Sequence, residues 1–370
     1  MNVNVNATIA AVDDRLRDPL AAYRAASDGV GFVGPDVPID VLVASGRPFG
    51  HLPWRTDRAT AWADRWLESS FPYWSRSILE QWHGGAFDAL GTVVFSRADD
   101  ASQRLYYYVR ELQRRGKLRG PVPQMFDIAL IPRDSSLAHT EAAVLELMRS
   151  LDVAADALPS AIERANALRR RLTELERARV ANGPLYERLG RAALWTSPGE
   201  WLDALPLRPS SAESSATTRI LLAGSMPPDE RLHDAVEAGG GSVVAEAHPL
   251  ALGRLGPELD TTSGQVPANG REAPARAIAR HLRATSIAPR AFFDRAAWIV
   301  ERARAARAAA VVIWLSREDE ALAWTAPMQR RALTAAGVPV LVLAARRWQA
   351  DDDTRAQIED FTRRCARASA

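Results

Sequence analysis

Cysteine is nearly missing from this sequence: a chain of 370 residues carries one, Cys365. A single thiol excludes an intrachain disulfide and any multi-cysteine zinc or iron–sulfur site built by this chain alone. Lysine is just as scarce, with Lys117 its one occurrence, so positive charge rests on arginine, whose planar guanidinium suits phosphates and carboxylates. The arginines are interleaved with acids to a net charge of +2, and no basic block marks a nucleic-acid surface. No apolar run reaches the length of a membrane span. The N-terminus has neither a basic start nor an apolar core, and a cytoplasmic protein is expected. Signature motifs are absent too. The strand-to-helix turn Gly224 to Asp229 has no GxGxxG and no GxxxxGK[ST], no GxSxG surrounds Ser96 or Ser316, and the six histidines (His51, His83, His139, His233, His248 and His281) lack HExxH spacing. Dinucleotide, triphosphate, serine-hydrolase and zinc-protease readings lose their usual support.

What remains is an ordinary globular composition, 47% hydrophobic and 25% charged, long enough for two domains. The most informative stretch is Ala309 to Leu333. Val311 to Leu315 is apolar without alternation, as in a parallel strand covered on both faces, and Ser316 to Glu320 then put charge beyond its carboxyl end. Thr92 to Leu112 repeats the plan, with VVFSRADDA aligning against VIWLSREDEA. Each is a strand ending in Ser-Arg, then acids, then a helix. Two α/β units of similar plan, with polar turns facing across a cleft, follow as the simplest expectation.

The fold expected is α/β: two Rossmann- or flavodoxin-like parallel-sheet domains facing a cleft and joined by helices. Residues 1–137 form the first domain, 138–205 a helical bridge, 206–218 a Ser- and Pro-rich linker and 219–370 the second domain. Within the first, a helix around Asp13 to Ala26 leads to a Gly-rich loop on the outside. Pro38 to Ala44 reads as a strand, Ala59 to Trp82 as helical with its tryptophans packed in the core, and Met125 to Ile131 as another strand. The second opens with a βαβ unit of Arg219 to Ser225, Pro228 to Glu237 and Ser242 to Ala247. A long Gly- and Pro-containing loop, Leu250 to Gly270, follows. Helices Arg271 to Arg283 and Phe292 to Ala308, the strand Val338 to Ala344 and the helix Thr354 to Ala366 complete it. The acids Asp99, Asp100, Glu318 and Asp319 are candidate proton donors and acceptors, or else helix-dipole partners. Ser225 opens a helix after a strand and reads first as its cap.

Several pieces, taken in order, resemble the paired subunits of 2-hydroxyacyl-CoA dehydratases and benzoyl-CoA reductases. They are PIDVLVASGRP at Pro38 to Pro48, with Asp40 where the family pattern has Glu, then SRSILEQ at Ser75 to Gln81 and DDASQRLYYYVREL from Asp99. AIERANALRRRLTEL around Asn166, RILLAGS and the Ala309 to Leu333 turn complete the set. The resemblance spans about Pro38 to Ala345. It implies two α/β domains around a cleft, pairing of related subunits, and a four-iron four-sulfur cluster on three cysteines per subunit. That cluster is charged by an ATP-hydrolysing activator and passes one electron to a thioester carbonyl.

One departure is decisive. The family's cysteines fall near Phe71 to Ser75, Ser96 to Asp99 and Ser316, and none is cysteine here. No cluster held by this chain alone is expected, because hard oxygen donors do not replace thiolates. The resemblance leaves an acyl-CoA cleft. In it Arg76, Arg97, Arg104 and Arg317 meet phosphates or an acyl carboxylate, while Ser45, Ser96, Ser225 and Ser316 bond the thioester end. Three roles stay open: a cluster-free partner of a cysteine-bearing subunit, or a homodimer, binding acyl-CoA; a metal-free acyl-CoA hydratase or lyase; and an interaction module that binds no ligand.

Overall fold

The computed structural model of the chain describes residues 3–178, 183–205, 217–251, 255–260 and 272–369. Two four-stranded sheets organise them, and every strand pair is parallel. The first holds β1 (Gly29–Val33), β2 (Phe49–His51), β3 (Leu90–Ser96) and β4 (Val122–Phe126) in the order β2-β1-β3-β4. The second holds β5 (Thr218–Gly224), β6 (Gly241–Ala247), β7 (Ala310–Ser316) and β8 (Val340–Arg346) in the order β6-β5-β7-β8. The two orders are the same, so the sequence repeat around Ser96 and Ser316 falls on equivalent strands, β3 and β7. Parallel neighbours need crossovers, and helices supply them: Asp100–Arg114 joins β3 to β4, and Arg231–Ala238 joins β5 to β6. Every residue of β7 is buried, as the unbroken apolar run implied.

Helices Asp134–Ser150, Leu158–Ala178 and Gly183–Trp195 lie between the sheets in sequence. A single buried apolar cluster runs from Tyr23 through both sheets to Phe361. A smaller one packs Val12 of the first helix, Val3–Arg17, against Leu172, Tyr186 and Leu189. The halves are also joined by polar contacts. Trp54 Nε1 donates to Pro228 O at 2.7 Å, and Arg290 reaches Asp100 at 2.9 Å. Asn166 makes two 2.8 Å bonds with the backbone of Leu259.

Several local expectations are corrected. Pro38 to Ala44 is no strand: Pro38 precedes the helix Ile39–Ala44, which buries Ile39, Val41 and Leu42. Its first-turn acid Asp40 makes a buried pair with Arg169, and this tertiary contact outweighs the β preference of its Ile and Val residues. The Gly-rich segment placed outside is instead β1, buried throughout and central in its sheet. Its glycines mark close approach, since a Cβ at Gly31 would lie 2.7 Å from Leu52 and one at Gly29 would run into Tyr23. β2, three residues long, carries too short a pattern to read.

Between Ala59 and Trp82, helix is confined to a short 3-10 turn, Ala63–Arg65, and to Tyr73–His83. The Glu80 carboxylate accepts from Trp62 N and Ala63 N at 2.9 and 2.8 Å, holding the rest as ordered loop. β4 ends at Phe126, so the strand expected through Ile131 stops early. Of the linker at 206–218, residues 206–216 lie outside those described, and Thr218 already belongs to β5. Of the long loop, 252–254 and 261–270 lie outside the described residues, whereas Leu259 is buried.

Candidate functional site

The carboxyl ends of seven strands converge on one cavity of about 60 Å³. Its walls are Gly34 and Pro35 after β1, His51 ending β2, Asp99 after β3, and Gly224 to Met226 at the end of β5. Pro249 and Leu250 after β6, Asp319 after β7 and Trp348 after β8 complete the ring, with Trp74, Pro289 and Leu322. One water needs roughly 10–15 Å³ on such a scale, so the space suits a few waters or a short acyl head. Open parallel sheets place ligands at strand carboxyl ends, and here the carboxyl ends of both sheets meet at one point.

Asp99 and Asp319 occupy equivalent places in the sequence repeat, three residues beyond Ser96 and Ser316, and they line the same cavity from opposite halves. Asp99 caps helix Asp100–Arg114, its Oδ2 accepting from Ser102 N at 2.8 Å and from Ser102 Oγ at 2.7 Å. Burial raises its pKa, and the Ser102 bonds oppose the rise. Asp319 accepts a hydrogen bond from Ser225 Oγ, and Ser225 Oγ accepts from Ser316 N at 2.9 Å. Burial pushes Asp319 up to about 6, and the Asp99 charge across the cavity adds to the shift. Two carboxyls sharing a cavity do not readily ionise together.

His51 is fixed between two backbone groups. Its Nε2 accepts from Gly34 N–H at 3.1 Å, which leaves Nδ1 to donate to Leu52 O at 2.8 Å. Gly34 and Gly224 end the two equivalent strands β1 and β5 with φ of 89° and 107°. A side chain at Gly34 would run into Ser102, the residue that holds Asp99, and one at Gly224 into Trp314 O.

Of the expected site residues, Asp99, Asp319 and Ser225 meet at the cavity. Ser225 is not the helix cap first read, since the helix begins at Arg231. Asp100 is exposed and pairs with Arg290, and Glu318, raised by burial, lies 3.9 Å from Arg317. Neither lines the cavity. Ser96 and Ser316 are buried at their strand ends but sit behind the wall: Ser96 Oγ accepts from Ala98 N at 3.1 Å. Ser45 ends a helix, where its Oγ donates to Leu42 O at 2.7 Å, so the strand-end reason for choosing it is gone.

The expected arginines also disperse. Arg76 pairs with Asp64 at 2.7 Å, Arg104 with Glu68 at 2.8 Å, and Arg317 is exposed. Arg97, paired with Asp127 at 2.5 Å, lines a larger groove beyond Pro289. His51, Gly34, Trp74 and Trp348 are cavity residues that sequence reasoning missed. Trp74 stood in a run read as core, and β2, which would have exposed His51, was invisible.

Two parallel sheets whose carboxyl ends share one cavity, mainly apolar but holding two carboxyls, define an α/β protein with a cleft between its halves. The 2-hydroxyglutaryl-CoA dehydratase D-component family model matches residues 36–363, and the chain belongs to that family. No curated protein matches it.

The family's cluster finds no thiolates here. Where its cysteines would fall, Ser75 Oγ donates to Pro72 O at 2.7 Å, Ser96 Oγ accepts from Ala98 N, and Ser316 is bonded to Ser225 Oγ through its backbone N–H. Cys365 lies on the terminal helix Thr354–Ser369, away from the cavity wall, with its thiol pushed up by burial. Among the described residues no group of three or more His, Cys, Asp or Glu could hold a metal ion. The cavity offers carboxylate, hydroxyl and imidazole, a donor set that does not fit a cubane held by thiolates. Among the same residues no helix is long and apolar enough to cross a membrane.

Proposed function

We propose that this chain is a cluster-free dehydratase-family subunit that binds an acyl-CoA thioester in the central cavity and acts beside a cysteine-bearing relative. The observation that carries this reading is the cavity itself: strand ends of both sheets close around Asp99, Asp319 and Ser225, next to Ser96 and Ser316, near which the family pattern calls for thiolates. An interaction module that binds no ligand has no need for two acids facing a shared cavity, since leaving polar groups underneath a surface is costly. The test is iron and acid-labile sulfide in protein purified alone and together with a cysteine-bearing relative. Iron only in the mixed sample agrees with the reading; a lone chain that carries stoichiometric iron and sulfide contradicts it.

A second reading, metal-free hydration or dehydration, is favoured by one observation: Asp319 sits near 6 beside a second carboxyl. In dehydration Asp99 takes the α proton, the C–H pair becomes the double bond, and Asp319 protonates the departing β-hydroxyl to give water. Turnover of a 3-hydroxyacyl-CoA by the lone, iron-free chain would select this reading.

A further inference from the structure

Past Pro289, which lines both spaces, the cleft opens into a groove of about 990 Å³. Its walls are Ile128 to Ile131, the start of helix Asp134–Ser150, and the segment from Pro289 to Ala296. Its charge is one-sided. Arg97, Arg133, His139, Arg290 and Arg295 face it against one acid, Asp294, whose Oδ1 already accepts from Ala296 N and Ala297 N at 2.9 Å. Arg97 and His139 share Asp127, and Arg290 has Asp100.

Arg133 and Arg295 have no carboxylate partner among the described residues. Arg295, largely buried, donates instead to the carbonyls of Ile287, Ala288 and Pro289 and lies 4.4 Å over the Phe293 ring. A guanidinium taken partly out of water without an acid beside it leaves a field that an anion would neutralise. The same groove exposes apolar surface. Phe292 is 66% exposed, Met328 49% and Ile131 45%, a combination that marks a contact surface rather than ordinary solvent-facing residues.

We propose that the groove holds the nucleotide end of the thioester, an adenosine carrying phosphates on its ribose, with Arg133 and Arg295 toward the phosphates and Phe292 stacked on the base. The flexible arm then runs past Pro289 to the acyl head between Asp99 and Asp319. This inference rests on the acyl-thioester reading of the cavity, yet it names residues that reading does not use.

Equilibrium dialysis of the full chain with adenosine 3′,5′-bisphosphate tests it apart from the cavity. The expected result is saturable binding that weakens at least tenfold in Arg133→Glu and in Phe292→Ala, both exposed positions, and that falls with added salt. No saturable binding, or binding that neither variant changes, overturns the proposal. So does loss of subunit association in Phe292→Ala without nucleotide binding, which would make the groove a protein interface. An acyl-pantetheine, lacking the nucleotide, probes the cavity alone. If it binds while the bisphosphate does not, the groove assignment falls and the cavity reading stands. If only the bisphosphate binds, the link between groove and thioester is overturned.

Discussion

Asp40→Ala is expected to destabilise the protein by about 3–5 kcal/mol, out of a total that for most domains is about 5–15 kcal/mol. Asp40 and Arg169 form a two-pronged pair, 2.9 Å between Nη1 and Oδ1 and 2.8 Å between Nη2 and Oδ2, with side chains 1% and 3% exposed. Removing the carboxylate strands a buried guanidinium, a larger effect than losing the bond itself. The damage would spread, because Arg169 also bonds Asn166 Oδ1 at 3.0 Å, and Asn166 fastens the Leu259 backbone. The urea midpoint of Asp40→Ala should drop sharply, and the double variant Asp40→Ala with Arg169→Met should recover most of the loss. Equal losses in single and double variants would mean that the pair is not what holds helix Ile39–Ala44 against helix Leu158–Ala178.

Asp319→Asn should raise stability above neutral pH. Burial lifts this acid from 3.8 to about 6, so the folded state binds the proton more tightly than the unfolded chain does. The favourable contribution is complete below pH 3.8, fades as pH rises through about 6, and amounts to about 3 kcal/mol at 1.36 kcal/mol per pKa unit. Asparagine keeps an oxygen to accept from Ser225 Oγ and carries no charge to bury. Unfolding measured at pH 5 and pH 8 should therefore show a smaller drop in the variant than in the parent chain. Some of the drop should survive, because Asp36, bonded to Ser286 Oγ, is lifted by burial to about 6 as well. An unchanged pH profile would remove Asp319 as the buried acid of the cavity.

The strands β3, β5, β6 and β7 and their polar turns were legible because parallel strands buried on both faces leave apolar runs, and β8, half-buried at the sheet edge, kept such a run as well. The pairing of SRAD with SRED carried the rest: it pointed to equivalent strands and to Asp99 and Asp319 facing one cleft. Two failures have physical causes. β1 is glycine-rich because a helix and Leu52 press against it, and a strand selected for close approach looks like a loop in sequence. Ile39 to Ala44 is β-branched yet helical because Asp40 is drawn to Arg169, more than a hundred residues away. The arginines expected at the cleft were misjudged for a related reason. Arg76 and Arg104 are claimed by Asp64 and Glu68, acids of the segment that precedes helix Tyr73–His83, before any ligand could reach them.

The account depends most on a thioester entering a cavity whose wall carries no cysteine. Calorimetric titration of the iron-free chain with butyryl-CoA tests that directly. The prediction is saturable binding of one ligand per chain. A flat titration, or binding that appears only after iron and sulfide are restored, would contradict it.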